Sequence, residues 1–442
     1  MSGTALDHRL VRDYLRELDA AMRGLPPAQA RELREQITAH LDDALPADAG
    51  DQEVAETLSR LGSPAGLAAE AANGSSGPRL ALSSRVRWRL AAVIAVPTAI
   101  AAVLGGPQIS GDAGSYVTSG RVQQLARLNA AVVKLTQNVE DERDLSATYV
   151  ARKEAGSLPA FLVYARTATD AAASTVRADA AGVGVGAGYQ RSTVWDLQAL
   201  LKSIALLGNI RKAVSFSATP ASMVIQTYTY NVILPANTFS AAVGGGTGDA
   251  SLQGTVTTLA ALLRVENDQS VQRAILSAAL SAQPSVLAPE GLASLQQAAE
   301  QQIADLTDFN ASASATEQQL FSNTVSGAAV DLAGSSEDLA EQAAATHPSA
   351  PLTGNTGLAA ATWYSEMSTT IGDTRKVTGQ LTGQVTARAN TLKSNATYRL
   401  LLTSIVTLAL LLLVLLTSAA LALSLTRPSR RPQPGRLDAR IR

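Results

Sequence analysis

Residues 122–151 read VQQLARLNAAVVKLTQNVEDERDLSATYVA. Apolar side chains recur at helical spacing from Val122 to Val139, and nothing in the run that follows breaks a helix before Gly156 to Pro159. One long helix is predicted, carrying the charged run Glu140, Asp141, Glu142, Arg143 and Asp144 far from either end. Similar spacing predicts helices over 158–181, 192–207, 219–234, 251–279, 288–306, 313–342 and 358–396. Glycine- and serine-rich tracts such as GVGVGAG at 182–188 and AAVGGGTGDAS separate some of them. Aromatic residues make up only 4% of the chain, and alanine is abundant, which favours helix packing over a strand-rich sandwich. The fold class expected is therefore all-α.

Outward from this region, two apolar segments bracket it. Leu400 to Leu425, LLLTSIVTLALLLLVLLTSAALALSL, holds no charge over a length that exceeds the roughly 20 helical residues a bilayer needs. Leu90 to Gly106 is shorter and richer in alanine, and Pro97 is expected to kink it. Arg85, Arg87 and Arg89 precede the first; Arg427, Arg430, Arg431, Arg436, Arg440 and Arg442 follow the second. By the positive-inside rule this pattern predicts a two-pass plasma-membrane protein with both termini cytoplasmic, its basic ends anchored on membrane lipid. The expected divisions are 1–75 cytoplasmic helical domain, 76–89 linker, 90–106 first span, 107–399 extracytoplasmic helical sensor domain, 400–425 second span and 426–442 basic tail.

The N-terminal part carries short amphipathic helices. Leu10, Tyr14, Leu18 and Met22 fall one turn apart, a second stripe of Ala30, Leu33, Ile37 and Leu41 follows Pro26 and Pro27, and one or two further helices are interrupted at Gly62 to Pro64. The stretches DYLRELDAAMRGLP, RELREQITAHL and LSRLGSPAGLAAE resemble the HAAS or DUF1700-like helical domain over about residues 8–72. His40 stands at that family's recurrent histidine and is expected to be a partly buried cap or packing residue.

Composition excludes several functions. There is no cysteine, so thiol catalysis, disulfides and thiolate metal sites are ruled out. The three histidines, His8, His40 and His347, lie far apart, so no multi-histidine metal site is expected and no cofactor is called for. The glycine tracts are loops rather than phosphate cradles, and no paired acid–base or nucleophile constellation appears, so the chain is not expected to be an enzyme. A net charge of −1, from 36 basic and 37 acidic residues, gives no bulk drive toward polyanions, and no nucleic-acid partner is expected.

Arg143, Arg211, Arg264 and Arg273 all lie inside predicted helices. An inward arginine in a bundle is costly unless a carboxylate or ligand anion satisfies it, and its planar fork suits a small planar oxyanion if two arginines converge. The segments VVKLTQNVEDERDLSATYVA, LLGNIRKAVSFSATPASMVIQTYTYNVILP, LAALLRVENDQSVQRAILSAAL and TWYSEMSTTIGDTRKVTGQL, spread over about residues 116–396, resemble the NIT domain of bacterial nitrate- and nitrite-sensing proteins. That resemblance implies paired up-down four-helix bundles and a small oxyanion as ligand, with Arg143, Arg211 and Arg273 at the ligand site. Gln272 stands where the family has glutamate and Glu266 where it often has lysine, a charge reversal unfavourable to an anion. Trp363 and Tyr364 are expected to pack the final helix or to close an aromatic side of the pocket; Tyr228 and Tyr230 are read as packing residues.

The functional expectation is a membrane receptor sensing a small ligand such as nitrate or nitrite, forming a homodimer and passing its signal to a cytoplasmic signalling partner. The alternatives are a structural or interaction protein that has lost ligand binding, and a sensor histidine kinase whose catalytic part is encoded elsewhere.

Overall fold

The computed structural model describes residues 8–46, 49–72, 84–153, 157–216, 219–246 and 248–426, with backbone alone over 84–105 and 421–426. No strand occurs among the described residues. The linker from residue 73 and the basic tail beyond Thr426 lie outside them, as do the side chains of Arg85, Arg87 and Arg89. The chain divides at Ala92 into two units.

The first unit contains α1 (Arg9–Ala21), α2 (Pro27–Ala44), α3 (Asp51–Leu61) and α4 (Pro64–Ala72). Of the stripe read from α1, Tyr14, Leu18 and Met22 are buried, Leu18 and Met22 packing with Ala68, whereas Leu10 is only partly buried and Val11 beside it fills the core with Leu41, Leu45 and Val54. Gly62 ends α3 with φ of 95°, which only glycine adopts without strain, and its carbonyl accepts a 2.6 Å hydrogen bond from the Tyr14 hydroxyl. His40 is exposed, contrary to expectation, because it falls on the outer face of α2. The capping histidine is His8, whose Nδ1 accepts from the Leu10 amide at the start of α1 and whose Nε2 lies 3.0 Å from Asp51.

The second unit begins on α5, a single helix over Ser84–Ala151, followed by α6 (Ala160–Ala180), α7 (Arg191–Ser215), α8 (Ala221–Tyr228) and α9 (Leu234–Ala242). Between α8 and α9, Thr229–Ile233 form a π turn just before Pro235, which cannot donate its backbone nitrogen; the widened turn lets the chain continue in one direction. Leu128, Val132, Leu135 and Val139 of α5 meet Leu162 and Val176 of α6, Leu200 and Ile204 of α7, and Tyr228 and Phe239 to form one core. The second bundle comprises α10 (Ala250–Ser281), α11 (Pro289–Ser312), α12 (Ala315–Thr324), α13 (Ala328–Thr346) and α15 (Ala360–Thr426), with the short α14 (Leu352–Thr356) before the last. Gly327, at φ 104°, breaks what the sequence suggested was one helix over 313–342. Val122, Ala126 and Val133 on the other face of α5 join Leu259, Leu262, Val377 and Leu381 in the core of this bundle. α5 thus belongs to both bundles, and its middle is enclosed on all sides.

Among the described residues one helix, in Ala360–Ala420, is long and apolar enough to cross a membrane, with a mean hydropathy of 2.8 over its best window and none of that window buried. Among the described residues this one helix is found where a flanking pair was expected. Residues 90–106 form the N-terminal part of α5, and the side chains of 90–105 lie outside the described residues.

Candidate functional site

Successive residues of an α-helix point about 100° apart, so five consecutive charges on an enclosed helix must face several neighbours at once. The run from Glu140 to Asp144 does so, and each neighbouring helix supplies a counter-ion. Glu142 faces the first bundle. Arg211 of α7 grips it through Nε at 2.7 Å and Nη2 at 2.9 Å, while the Tyr228 hydroxyl donates to Glu142 Oε1 at 2.8 Å. The third Arg211 donor reaches Asp170 of α6 at 2.7 Å. Burial opposes the Arg211 charge, but bonding to Glu142 and Asp170 outweighs it and raises its pKa. Burial beside Glu142 likewise drives the Tyr228 phenol upward, so it stays a donor.

Asp144 is fully buried and stands between two arginines. Its Oδ1 accepts from Arg143 Nε at 2.9 Å; its Oδ2 accepts from Arg273 Nε and from the Ser270 hydroxyl, both at 2.8 Å. Arg273 of α10 also donates to Asp141 at 2.8 Å and to the Ser368 hydroxyl at 3.0 Å, and its guanidinium lies 4.9 Å from the centre of the Tyr364 ring. The Trp363 indole N–H donates to the Arg273 carbonyl at 3.2 Å, so Trp363 packs and bonds while Tyr364 forms the aromatic wall. Arg143 sends Nη1 to Thr229 in the π turn at 2.9 Å and to Asn267 at 3.0 Å. Its Nη2 is buried and has no hydrogen-bond partner.

The third face of the run meets Arg375 of α15, which sequence reading passed over. Arg375 donates to Glu266 at 2.6 Å, to both oxygens of Asp141, to Glu140 at 3.1 Å and to the Gln137 carbonyl at 3.1 Å. One signal of it was available: Ile371, Thr374, Val377, Thr378 and Leu381 trace the buried stripe of that helix, and Arg375 interrupts the stripe. Glu266, read as hostile to an anion, is committed to Arg375 instead of facing Arg143. Burial, with Glu266 as its neighbour, pushes the Glu140 carboxyl well up, and burial raises Glu266 against the pull of Arg375. Burial also disfavours the Asp141 charge, yet Arg375 and Arg273 prevail and hold its pKa below the usual range.

Of the three arginines read as ligand residues, the structure brings Arg143 and Arg273 together on the two oxygens of Asp144 and places Arg211 on the opposite side of α5, clamped on Glu142. Around the run stand five guanidinium groups, from Arg143, Arg166, Arg211, Arg273 and Arg375, and six carboxylates, from Glu140, Asp141, Glu142, Asp144, Asp170 and Glu266. Among the described residues, no group of three or more acidic, histidine or cysteine side chains is placed to hold a metal ion.

A family model described as nitrate and nitrite sensing matches residues 134–386, and the HAAS model matches residues 13–70. No curated protein matches the chain in sequence. The solved structure of the NasR transcription antiterminator is similar in fold, with a TM-score of 0.53 at 13% identity, covering 66% of this chain and 80% of that one. Two expectations are corrected by these findings. The exclusion of nucleic acid rested on overall net charge, which averages over the whole chain and says nothing of local patches or of what a regulator acts on; the shared fold with a transcription antiterminator overturns it. The expected two-pass plasma-membrane placement with both termini inside is likewise withdrawn, because among the described residues one membrane-length helix is found in place of two. Both matched domains are non-catalytic regulatory modules. Because the sensing model spans more than half of the sequence and the helical core around the arginine layer, the chain belongs to the nitrate- and nitrite-sensing (NIT) family.

Proposed function

We propose that this protein is a non-enzymatic sensory regulator whose buried layer takes up a small planar oxyanion, nitrate or nitrite, between Arg143 and Arg273. The observation that carries this reading is Arg143 Nη2, a buried guanidinium donor with no partner in a site where nearly every other donor is bonded. Leaving such a donor unsatisfied costs about 1–3 kcal/mol, a deficit that a bound oxyanion removes. The Tyr364 ring beside Arg273 supplies a flat wall of the right kind. Both arginines already share Asp144, so the anion has to insert beside that carboxylate or displace it. Either event reorganises α5 against α10, the two helices that carry Asp144 and Arg273.

A second reading is favoured by the same Asp144. Arg143 and Arg273 are neutralised within the protein, as an interaction module that needs no ligand would require. Calorimetric titration of the full chain with nitrate and nitrite, with chloride and sulfate as controls, separates the two. Saturable nitrate or nitrite binding, weakened about tenfold or more in Arg143→Gln with helicity unchanged, is the outcome expected for a sensor, given about 1.5–3 kcal/mol for a hydrogen bond to a charged group. A folded chain that binds neither anion is a structural or interaction protein.

A further inference from the structure

A cavity of about 1350 Å³ opens between α8, the π turn and α9 on one side and α10 and α11 on the other, larger than the roughly 300–1,000 Å³ of ordinary small-molecule pockets. It borders the arginine layer: Thr229 and Asn267 stand in its wall, and both accept from Arg143 Nη1, at 2.9 and 3.0 Å. The lining changes character along α10. Arg264, Asn267 and Asp268 come first; one and two turns further on, Val271 and Ile275 pack with Ile225 and Leu287. The cavity therefore has a polar end and an apolar end.

The charged groups of the polar end are matched within the protein. Arg264 is held by Asp305 at 2.7 Å and by Asp308 at 2.8 Å, and Asp268 is hydrogen-bonded to Asp305. Two carboxyl groups bond to each other only through a proton. Burial, and then the Asp305 charge, push Asp268 up to about 8 against the weaker pull of Asn267 and Arg143, so near neutral pH Asp268 carries that proton. Lys153 and Glu290, the other charged residues of the lining, are exposed. Hydrogen-bonding capacity of both kinds is left over: Asn237 Oδ1 is buried without a donor, and Asn267 Nδ2 is bonded only at 3.4 Å, to Asp268. A charged head would be stripped of water here without a counter-ion, whereas a neutral head that donates and accepts would be satisfied. We infer that the cavity is a binding site for an uncharged amphipathic molecule: a carboxamide-like head at the end lined by Asn237 and Asn267, and an aliphatic or aromatic body against Val271, Ile275, Ile225 and Leu287. Binding there does not rest on oxyanion sensing, but the shared wall links it to the arginine layer: an occupant that engages Thr229 or Asn267 alters their hold on Arg143, and the link is reciprocal.

The test uses the full chain and three probes of one shape, titrated by calorimetry near pH 7 without nitrate: 4-phenylbutyramide, the anionic 4-phenylbutyrate and the cationic 4-phenylbutylamine. The amide is expected to bind at least tenfold more tightly than either ion. Val271→Trp, which fills the apolar end, should weaken the amide at least tenfold, as should Asn237→Leu, which removes a partner of the head; either serves if the other does not fold. Asp268→Asn copies the protonated carboxyl and should leave amide affinity within threefold of the parent. In Arg143→Gln, Thr229 and Asn267 lose their charged donor, their oxygens become available to the amide, and its affinity should rise at least threefold. Absence of amide binding, an ion bound as tightly as the amide, loss of the amide in Asp268→Asn, or an affinity untouched by Val271→Trp and Asn237→Leu would each overturn the assignment. An amide affinity unchanged in Arg143→Gln would overturn the link to the arginine layer. None of these outcomes depends on whether that layer takes up an oxyanion.

Discussion

Arg375→Gln isolates what the charged layer contributes to the fold. The substitution removes the cation that Glu266, Asp141 and Glu140 share, at 2.6, 2.9 and 3.1 Å, and leaves Glu140 and Glu266, each 1% exposed, without it. Breaking a buried ion pair by deleting one partner costs about 3–5 kcal/mol, because the other charge stays desolvated. The glutamine amide can replace one hydrogen bond, so the lower end, about 3 kcal/mol, is expected, equivalent to a melting temperature lower by on the order of 5–10 °C. The sign with pH follows from two opposed groups. Glu140 and Glu266 have raised pKa values, so their contribution is complete below the unfolded carboxylate range and declines as pH rises toward the folded values. Losing Arg375 raises them further and steepens that decline. Asp141 has a lowered pKa, so its contribution exists above the unfolded value and is lost in acid; without Arg375 less of it exists to lose. Both effects make the deficit greatest at neutral pH and smaller near pH 5. Thermal unfolding followed by far-ultraviolet circular dichroism at both pH values measures it. A deficit below about 1 kcal/mol, or one equal at the two pH values, would refute the view that Arg375 offsets the cost of burying these carboxylates.

Other substitutions probe single links. Trp363→Phe removes the indole N–H from the Arg273 carbonyl and leaves a small void at a fully buried position, and should lower the denaturant midpoint by an amount equivalent to about 2–4 kcal/mol. Tyr228→Phe deletes one of the bonds on Glu142 but spares Arg211, so a loss of about 1–2 kcal/mol, measured by urea unfolding, is expected with no change in nitrate affinity. Leu128→Ala, at a fully buried position in the core of the first bundle, should cost about 2–5 kcal/mol with an unchanged slope against denaturant.

The sequence discloses helices well because their period is local: the stripe from Val122 to Val139 specifies a buried face without knowledge of its partners. It discloses half of the layer for the same reason, since five charges on consecutive positions of an apolar helix have to be met by something. What meets them is a tertiary matter. Asp144 joins Arg143, its neighbour in sequence, to Arg273, which comes from another helix, and Arg375 reaches Glu140 from α15; no spacing rule operates over such separations. Arg211 is placed apart from the other two, because its partner, Glu142, lies two positions from Asp144 and therefore roughly opposite it around α5. Two positions along a helix rotate a side chain by about 200°, enough to assign one carboxylate to the first bundle and the other to the second. A single α5 is thus the physical link between the bundles: any ligand that changes the hold of Arg143 or Arg273 on Asp144 acts on the same helix whose other faces are held by Arg211 and Arg375. Under the sensing role proposed above, a change in which carboxylate each arginine holds is enough to act on this helix, without a moving loop.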